Sequence, residues 1–415
     1  MRTWRLAASS LLVASAATAC GLIVGIGDET FTAPNDAGSE AASDAPTPPT
    51  VGCDAASVPT RPTAPDQGGD LRVFAFTTAS IGADPDGGPR KGYDLDNVCT
   101  CDPADRSRER GGSSCVPRDG SPVTCDDEAG IDDAIGHLFD QVGDLDPQAL
   151  VEDFRGEVQC GHVGVLLVVT GYSGLADDPE VGVTILPSPG IQEPPLFIDS
   201  GTDAGCLGAD AGVPYYMPLG STADRWSVLE GGLLDNGQPD PNDVLAGWVK
   251  NYQLVVDARD GGGGTFIRFP LGGIPLVVHA PILTARVVGV LDDGGIADAD
   301  APGVKHFALR EGVATGRVAA TDFLATLETI PVRLSGAGNF TTICNNTEQL
   351  LFVKKTLCPA LDIRSSPSDD GTGMTCDALS LVVTFEAAAG SIGDPGVVTS
   401  DAACAGPLNT SCEGF

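Results

Sequence analysis

Oxygen donors recur at alternate positions in the string Gly92-Tyr-Asp94-Leu-Asp96-Asn97-Val-Cys-Thr-Cys101, and Asp126, Asp127 and Glu128 follow a further cysteine, Cys125. Carboxylates and a side-chain amide at such spacing suit Ca²⁺, a hard cation that gathers about six to eight oxygens. Asp94, Asp96 and Asn97 are therefore the candidate metal ligands; the alternative is an acidic loop that is simply solvated. A second acidic candidate is Asp199, at the end of the apolar run in Leu196-Phe-Ile-Asp199-Ser200-Gly201-Thr202. Paired carboxylates that share a proton can activate water, so an Asp in this setting would need a second one beside it. Serine chemistry is poorly provided for. There are four histidines, His137, His162, His279 and His306, and Gly171-Tyr-Ser173-Gly174 lacks the spacing of a nucleophile elbow. His279 lies in an apolar run and reads as a packing residue. Gly261 to Gly264 is followed by Thr265 and not by Lys, which removes a phosphate loop and leaves a turn.

The segment Leu196 to Thr202 resembles the catalytic loop of aspartic peptidases: two apolar residues, Asp, Ser or Thr, Gly, then Ser or Thr. That resemblance implies a catalytic Asp199. The motif occurs once in the chain, so its partner carboxylate would come from a second subunit. The competing reading is a strand that ends in an acidic turn, with Gly201 and Gly205 supplying the bend. The Asp94 to Asn97 string loosely resembles the calcium-binding repeats of extracellular adhesive proteins, without their full spacing.

The elements that would carry these residues begin with a leader. Arg2 and Arg5 precede an uncharged run from Leu6 to Ala19, shorter than the roughly 20 residues a membrane-spanning helix needs. Residues 1–19 read as a signal peptide. The end of the run, Ala17-Thr18-Ala19-Cys20, resembles the lipobox of bacterial lipoproteins, which implies acylation of Cys20 and attachment to a membrane. Cleavage after Ala19 without lipid is the alternative and would make the chain a secreted one. Gly21 stands where an Asp would signal inner-membrane retention, so the resemblance further implies the outer membrane.

The chain has 13 cysteines, and setting Cys20 aside leaves an even set: Cys53, Cys99, Cys101, Cys115, Cys125, Cys160, Cys206, Cys344, Cys358, Cys376, Cys404 and Cys412. Their scatter predicts disulfides made in an oxidising compartment. Zinc knuckles are absent from the sequence. A net charge of −34, from 23 basic and 57 acidic residues, argues against nucleic-acid partners.

Residues 20–70, rich in Ala, Pro, Thr, Asp and Ser, predict a flexible tether. A disulfide-stabilised β-rich domain follows over 71–415. Alternating or β-branched runs predict strands over 71–77, 162–170, 181–186, 248–257, 265–270, 274–279, 282–291 and 379–386, with a hairpin connection over 257–265. Helical spacing appears in Ile131, Ile135, Leu138, Phe139 and Val142, around Leu150 to Phe154, and over 321–330. Strands at turn-separated intervals with two or three short helices predict an antiparallel sandwich or jelly roll. The stretch from Gly82 to Asp127 reads as cross-linked and coreless.

The strings Gly92 to Cys101, Gly312 to Leu327 and Cys376 to Phe385 resemble the uncharacterised, acidic, cysteine-containing predicted lipoproteins of myxobacteria, a likeness that implies no activity. The expectation is an envelope protein that binds a glycan, a protein or Ca²⁺ without catalysis. A dimeric peptidase through Asp199 and a purely structural envelope role are the alternatives.

Overall fold

Alternation sets the architecture, and the strand Ala378–Ala389 displays it most fully. Leu379, Leu381, Val383, Phe385 and Ala387 join one large interior cluster, while Ser380 and Val382 between them turn outward to other partners. In the computed structural model the described residues are 57–81, 90–101, 113–118, 121, 123–141, 156, 158–159, 161, 163–193, 220–229, 233–234, 239–259, 266–271, 274–291, 294–326, 331–333, 340–342, 347–396 and 410–413.

The strands are β1 (Asp70–Ile81), β2 (Gly164–Tyr172), β3 (Asp178–Ser188), β4 (Ile191–Glu193), β5 (Arg225–Leu229), β6 (Leu245–Lys250), β7 (Gln253–Asp257), β8 (Phe266–Leu271), β9 (Ile274–Val290), β10 (Ile296–Asp298), β11 (His306–Ala319), β12 (Pro331–Arg333), β13 (Phe340–Thr342), β14 (Ala378–Ala389) and β15 (Ser391–Gly396). Three helices accompany them among the described residues: α1 (Ala134–Gln141), α2 (Ala320–Thr326) and α3 (Thr347–Leu357). None is long and apolar enough to cross a membrane.

Eight strands close on themselves in the order β9-β11-β14-β1-β2-β3-β6-β7, with β7 pairing back onto β9. Every pairing around this ring is antiparallel. The protein is thus mainly β, as its sequence predicts, but its main sheet is a closed barrel and not a sandwich or a jelly roll. The physical reason is the β7–β9 ladder, Gln253 to Asp257 against Arg286 to Ile282, which satisfies the edges that two stacked sheets would leave open. Barrel strands also follow one another round the ring in chain order, so no Greek-key crossover arises.

Among the described residues a large cluster of apolar side chains fills the barrel interior, in keeping with an eight-stranded ring. Phe76 and Phe385 stack with centroids 4.2 Å apart. Gly312 makes room for them, since a Cβ there would lie 2.6 Å from the Phe385 ring. Ala134 and Ile135 of α1, and Ala320 and Leu324 of α2, join the same cluster.

Two layers cover the outside. Trp226 and Val228 of β5, in the small sheet β15-β5-β4, pack on Ala75, Leu166, Val168 and Leu186. Tyr93, Leu95 and Ile131 pack on Ile282, Val313 and Val382, with Val58 against them. The acidic stretch therefore has a small core of its own, which corrects the coreless reading: its few apolar residues fall where the barrel wall presents an apolar outer face. Nearby, the Trp248 indole N–H donates to the Pro59 carbonyl at 3.0 Å.

The predicted strand over 248–257 is a hairpin. Asn251 and Tyr252 both take positive φ, 52° and 62°, and Lys250 pairs with Gln253, a two-residue turn whose twist suits antiparallel strands. Conversely, the two runs 274–279 and 282–291 form one long strand, β9, passing through Ala280 and Pro281. The expected hairpin between 256 and 266 does not form: β7 and β8 lie end to end on β9, and each pairs with it.

Candidate metal centre

Each acidic side chain at the centre is held by a backbone N–H of the loop that precedes Cys101. An Asp94 Oδ1 accepts from the N–H groups of Asp96 and Asn97, and Asp96 Oδ1 accepts from Val98 at 2.8 Å. Asp132 Oδ2 accepts from Leu95 at 2.6 Å, and Asp126 Oδ2 from Thr100, also at 2.6 Å. The loop can fold this tightly because Asn97 takes φ 58°, a left-handed conformation that Asn tolerates better than most residues.

Cross-links fix the two acidic segments against each other. Cys101 bonds Cys125, Cys115 bonds Cys376 just before β14, and Cys358 bonds Cys412. Cys99 is also disulfide-bonded. From the barrel side, Tyr93 Oη lies 2.9 Å from Thr284 Oγ1 on β9. Arg317 of β11, fully buried, makes a bidentate pair with Asp370 at 2.9 and 2.6 Å and donates to the carbonyls of Arg364 and Leu95.

The result is that carboxylate oxygens of Asp94, Asp96 and Asp132 all lie within 4.8 Å of one another. Oxygens bound to one Ca²⁺ at about 2.4 Å cannot be more than about 4.8 Å apart, a condition that all three carboxylates meet. Asp96 and Asp132 are buried and Asp94 is half-buried. Asn97 is exposed and gives the centre its backbone N–H.

Burial makes ionisation difficult here. It pushes Asp96 up to about 7 and Asp126 up to about 8, and neighbouring carboxylates add repulsion to both. Asp132 is driven well above the usual carboxylate range by the same two causes, and Asp94 is raised by burial. The hydroxyl of buried Ser114 beside Asp96 favours the charged form without reaching hydrogen-bond geometry. The nearby guanidinium groups serve other carboxylates: Arg90 pairs with Asp133 at 2.6 Å and Asp127 at 3.3 Å, and Arg259 with Asp257 at 2.7 Å. A cluster so placed holds either protons or a cation.

Other sequence candidates fall elsewhere. His279 Nε2 lies 2.6 Å from Asp322 Oδ2, and His137 Nε2 lies 3.3 Å from Asp127. His306 lies at the barrel mouth, away from both pairs. Asp199, His162, Cys20, Cys53, Cys160, Cys206, Cys344 and Cys404 lie outside the described residues. The sequence does not reveal Asp132: it stands more than thirty residues from Asp94, and hydrogen bonds to Leu95 and Tyr93, the packing of Ile131 with Tyr93 and Leu95, and the Cys101–Cys125 bridge bring it in.

The fold and site define a class in physical terms, an antiparallel meander barrel carrying a disulfide-stapled acidic layer on its outer wall. No protein-family model, no curated protein and no solved structure matches the chain.

Proposed function

We propose that this chain is a non-enzymatic envelope protein, exported and lipid-anchored through Cys20, whose acidic layer binds Ca²⁺ and presents the surrounding loops to a glycan or protein partner. The observation that carries the calcium reading is the convergence of Asp94, Asp96 and Asp132 within the span of one ion's ligand sphere. Burial supports it as well, because a cation would relieve both desolvation and mutual repulsion of the carboxylates. The remaining ligands would be waters and backbone carbonyls. Bound there, the ion would tie the 94–97 loop to Asp132 and so clamp the layer to the barrel wall.

Export and anchoring rest on the leader, on Cys20 and on the cross-links, which persist in oxidising compartments. Calorimetric titration of the mature protein with CaCl₂ after EDTA treatment tests the calcium reading. One saturating site that Mg²⁺ fails to fill is the expected result, and the absence of heat and of any thermal shift would remove it. Mass spectrometry of the membrane-extracted chain tests the anchor, with an acylated Cys20 as the expected N-terminus.

A further inference from the structure

A cavity of about 990 Å³ opens between the barrel mouth and the small β15-β5-β4 sheet. Its size falls in the range of small-molecule sites. Its charge runs against that of the chain: 57 acidic residues outnumber 23 basic ones overall, yet Arg72, Arg225, Lys305 and His306 converge here. Asp394 is the one acidic side chain among the described lining residues.

The cations are differently held. Arg72 stacks its guanidinium over the Phe307 ring at 4.7 Å, and its buried Nε has no hydrogen-bond partner. Its nearest carboxylate among the described residues, Asp70, is 4.0 Å away and 89% exposed. Arg225 meets Asp394 at 3.5 Å, with the two side chains 46% and 76% exposed, so water and salt weaken that attraction. Lys305 is exposed at the rim. Apolar side chains line the same cavity, including Leu234 and Leu71, which are 41% and 42% exposed.

We propose that this cavity binds an amphiphilic organic anion, its acid group on Arg72, Arg225 and Lys305 and its hydrocarbon portion along Leu71, Leu234 and Phe307. Charge selects the ligand's sign, since a concentration of cations on a strongly anionic molecule attracts anions to this spot against the repulsion of the molecule as a whole. The planar, stacked guanidinium of Arg72 favours bidentate recognition of a carboxylate or phosphate. The apolar wall gives the site more than a counterion's affinity. Because the cavity and the acidic layer use different residues, the inference stands or falls apart from calcium binding.

Isothermal titration of the mature protein with dodecanoate, below its micelle concentration and in EDTA, tests it. Dodecyltrimethylammonium and inorganic phosphate serve as the two comparison titrants. Saturable binding of dodecanoate at least tenfold tighter than either comparison is expected. The double variant Arg225→Gln, Lys305→Gln, altered only at exposed positions, should weaken dodecanoate at least tenfold while its thermal unfolding stays unchanged. Equal binding of the cationic detergent would show that charge is not read, and phosphate binding as tightly as dodecanoate would show that the apolar wall is unused. Either result overturns the proposal, as does dodecanoate affinity unaltered in the double variant or no dodecanoate binding at all.

Discussion

Replacing Asp96 by Asn should stabilise the calcium-free protein, opposite in sign to most buried substitutions. Asn keeps the oxygen that accepts from Val98 and discards only the charge. Holding Asp96 near 7 rather than at its usual 3.8 means that its ionisation is about 4 kcal/mol harder in the fold than in water. A raised carboxyl pKa implies that the folded state keeps a proton the unfolded chain has lost. Stability from this group is therefore fully present below pH 3.8 and is lost as pH rises towards about 7. Asp96→Asn should gain about 4 kcal/mol over the parent at pH 8 in EDTA, and no more than about half of that at pH 5. Saturating Ca²⁺ should close most of that gap, because at a hundredfold excess over Kd it stabilises the parent by about 2.7 kcal/mol and the variant lacks a ligand. Urea unfolding of both proteins at pH 5 and 8, with EDTA or CaCl₂, measures all of these differences. Equal stability at both pH values in EDTA, or an undiminished calcium effect in the variant, would refute the reasoning.

Three further outcomes follow from the packing and charge. Calcium binding near pH 7 should release about one to two protons, because the ligands Asp96, held near 7, and Asp132, driven well above the usual carboxylate range, must ionise; titrations in buffers of differing ionisation enthalpy read the number. The double variant Cys115→Ser, Cys376→Ser opens a bridge that spans 261 positions, and chemical denaturation should show a loss of about 3 to 5 kcal/mol. Gly312→Ala places a methyl 2.6 Å from Phe385 and should lower stability by about 1 to 3 kcal/mol in the same assay, through overpacking of the Phe76–Phe385 stack.

What the sequence discloses about this molecule depends on whether an interaction is local. Period-two alternation in Leu379 to Ala387 needs only neighbouring residues to be seen, and the strands it predicts are there. Barrel closure depends on Gln253 to Asp257 finding Arg286 to Ile282, a pairing that no spacing encodes. The turn at Asn251 and Tyr252 was hidden because Tyr is an unusual occupant of a positive-φ position, so two strands read as one. Likewise the sequence does not disclose β11: Arg310, Glu311 and Arg317 interrupt its apolar pattern, and the terminal nitrogens of buried Arg317 are held by Asp370 and two carbonyls.

The acidic centre obeys the same logic. Asp94 and Asp96 stand two apart and announce themselves, whereas Asp132 is recruited through the Leu95 amide and through the bridge that draws Cys125 to Cys101. A calcium loop of the local kind encodes its ligands in one short run; here two runs must first be stapled together. It follows that oxidation supports ligand assembly. Reducing Cys101–Cys125 should loosen the 125–132 segment against the 94–101 loop, which the Leu95–Asp132 and Thr100–Asp126 hydrogen bonds still join, and so weaken calcium binding, while the barrel, which rests on its interior packing and backbone ladders, remains folded.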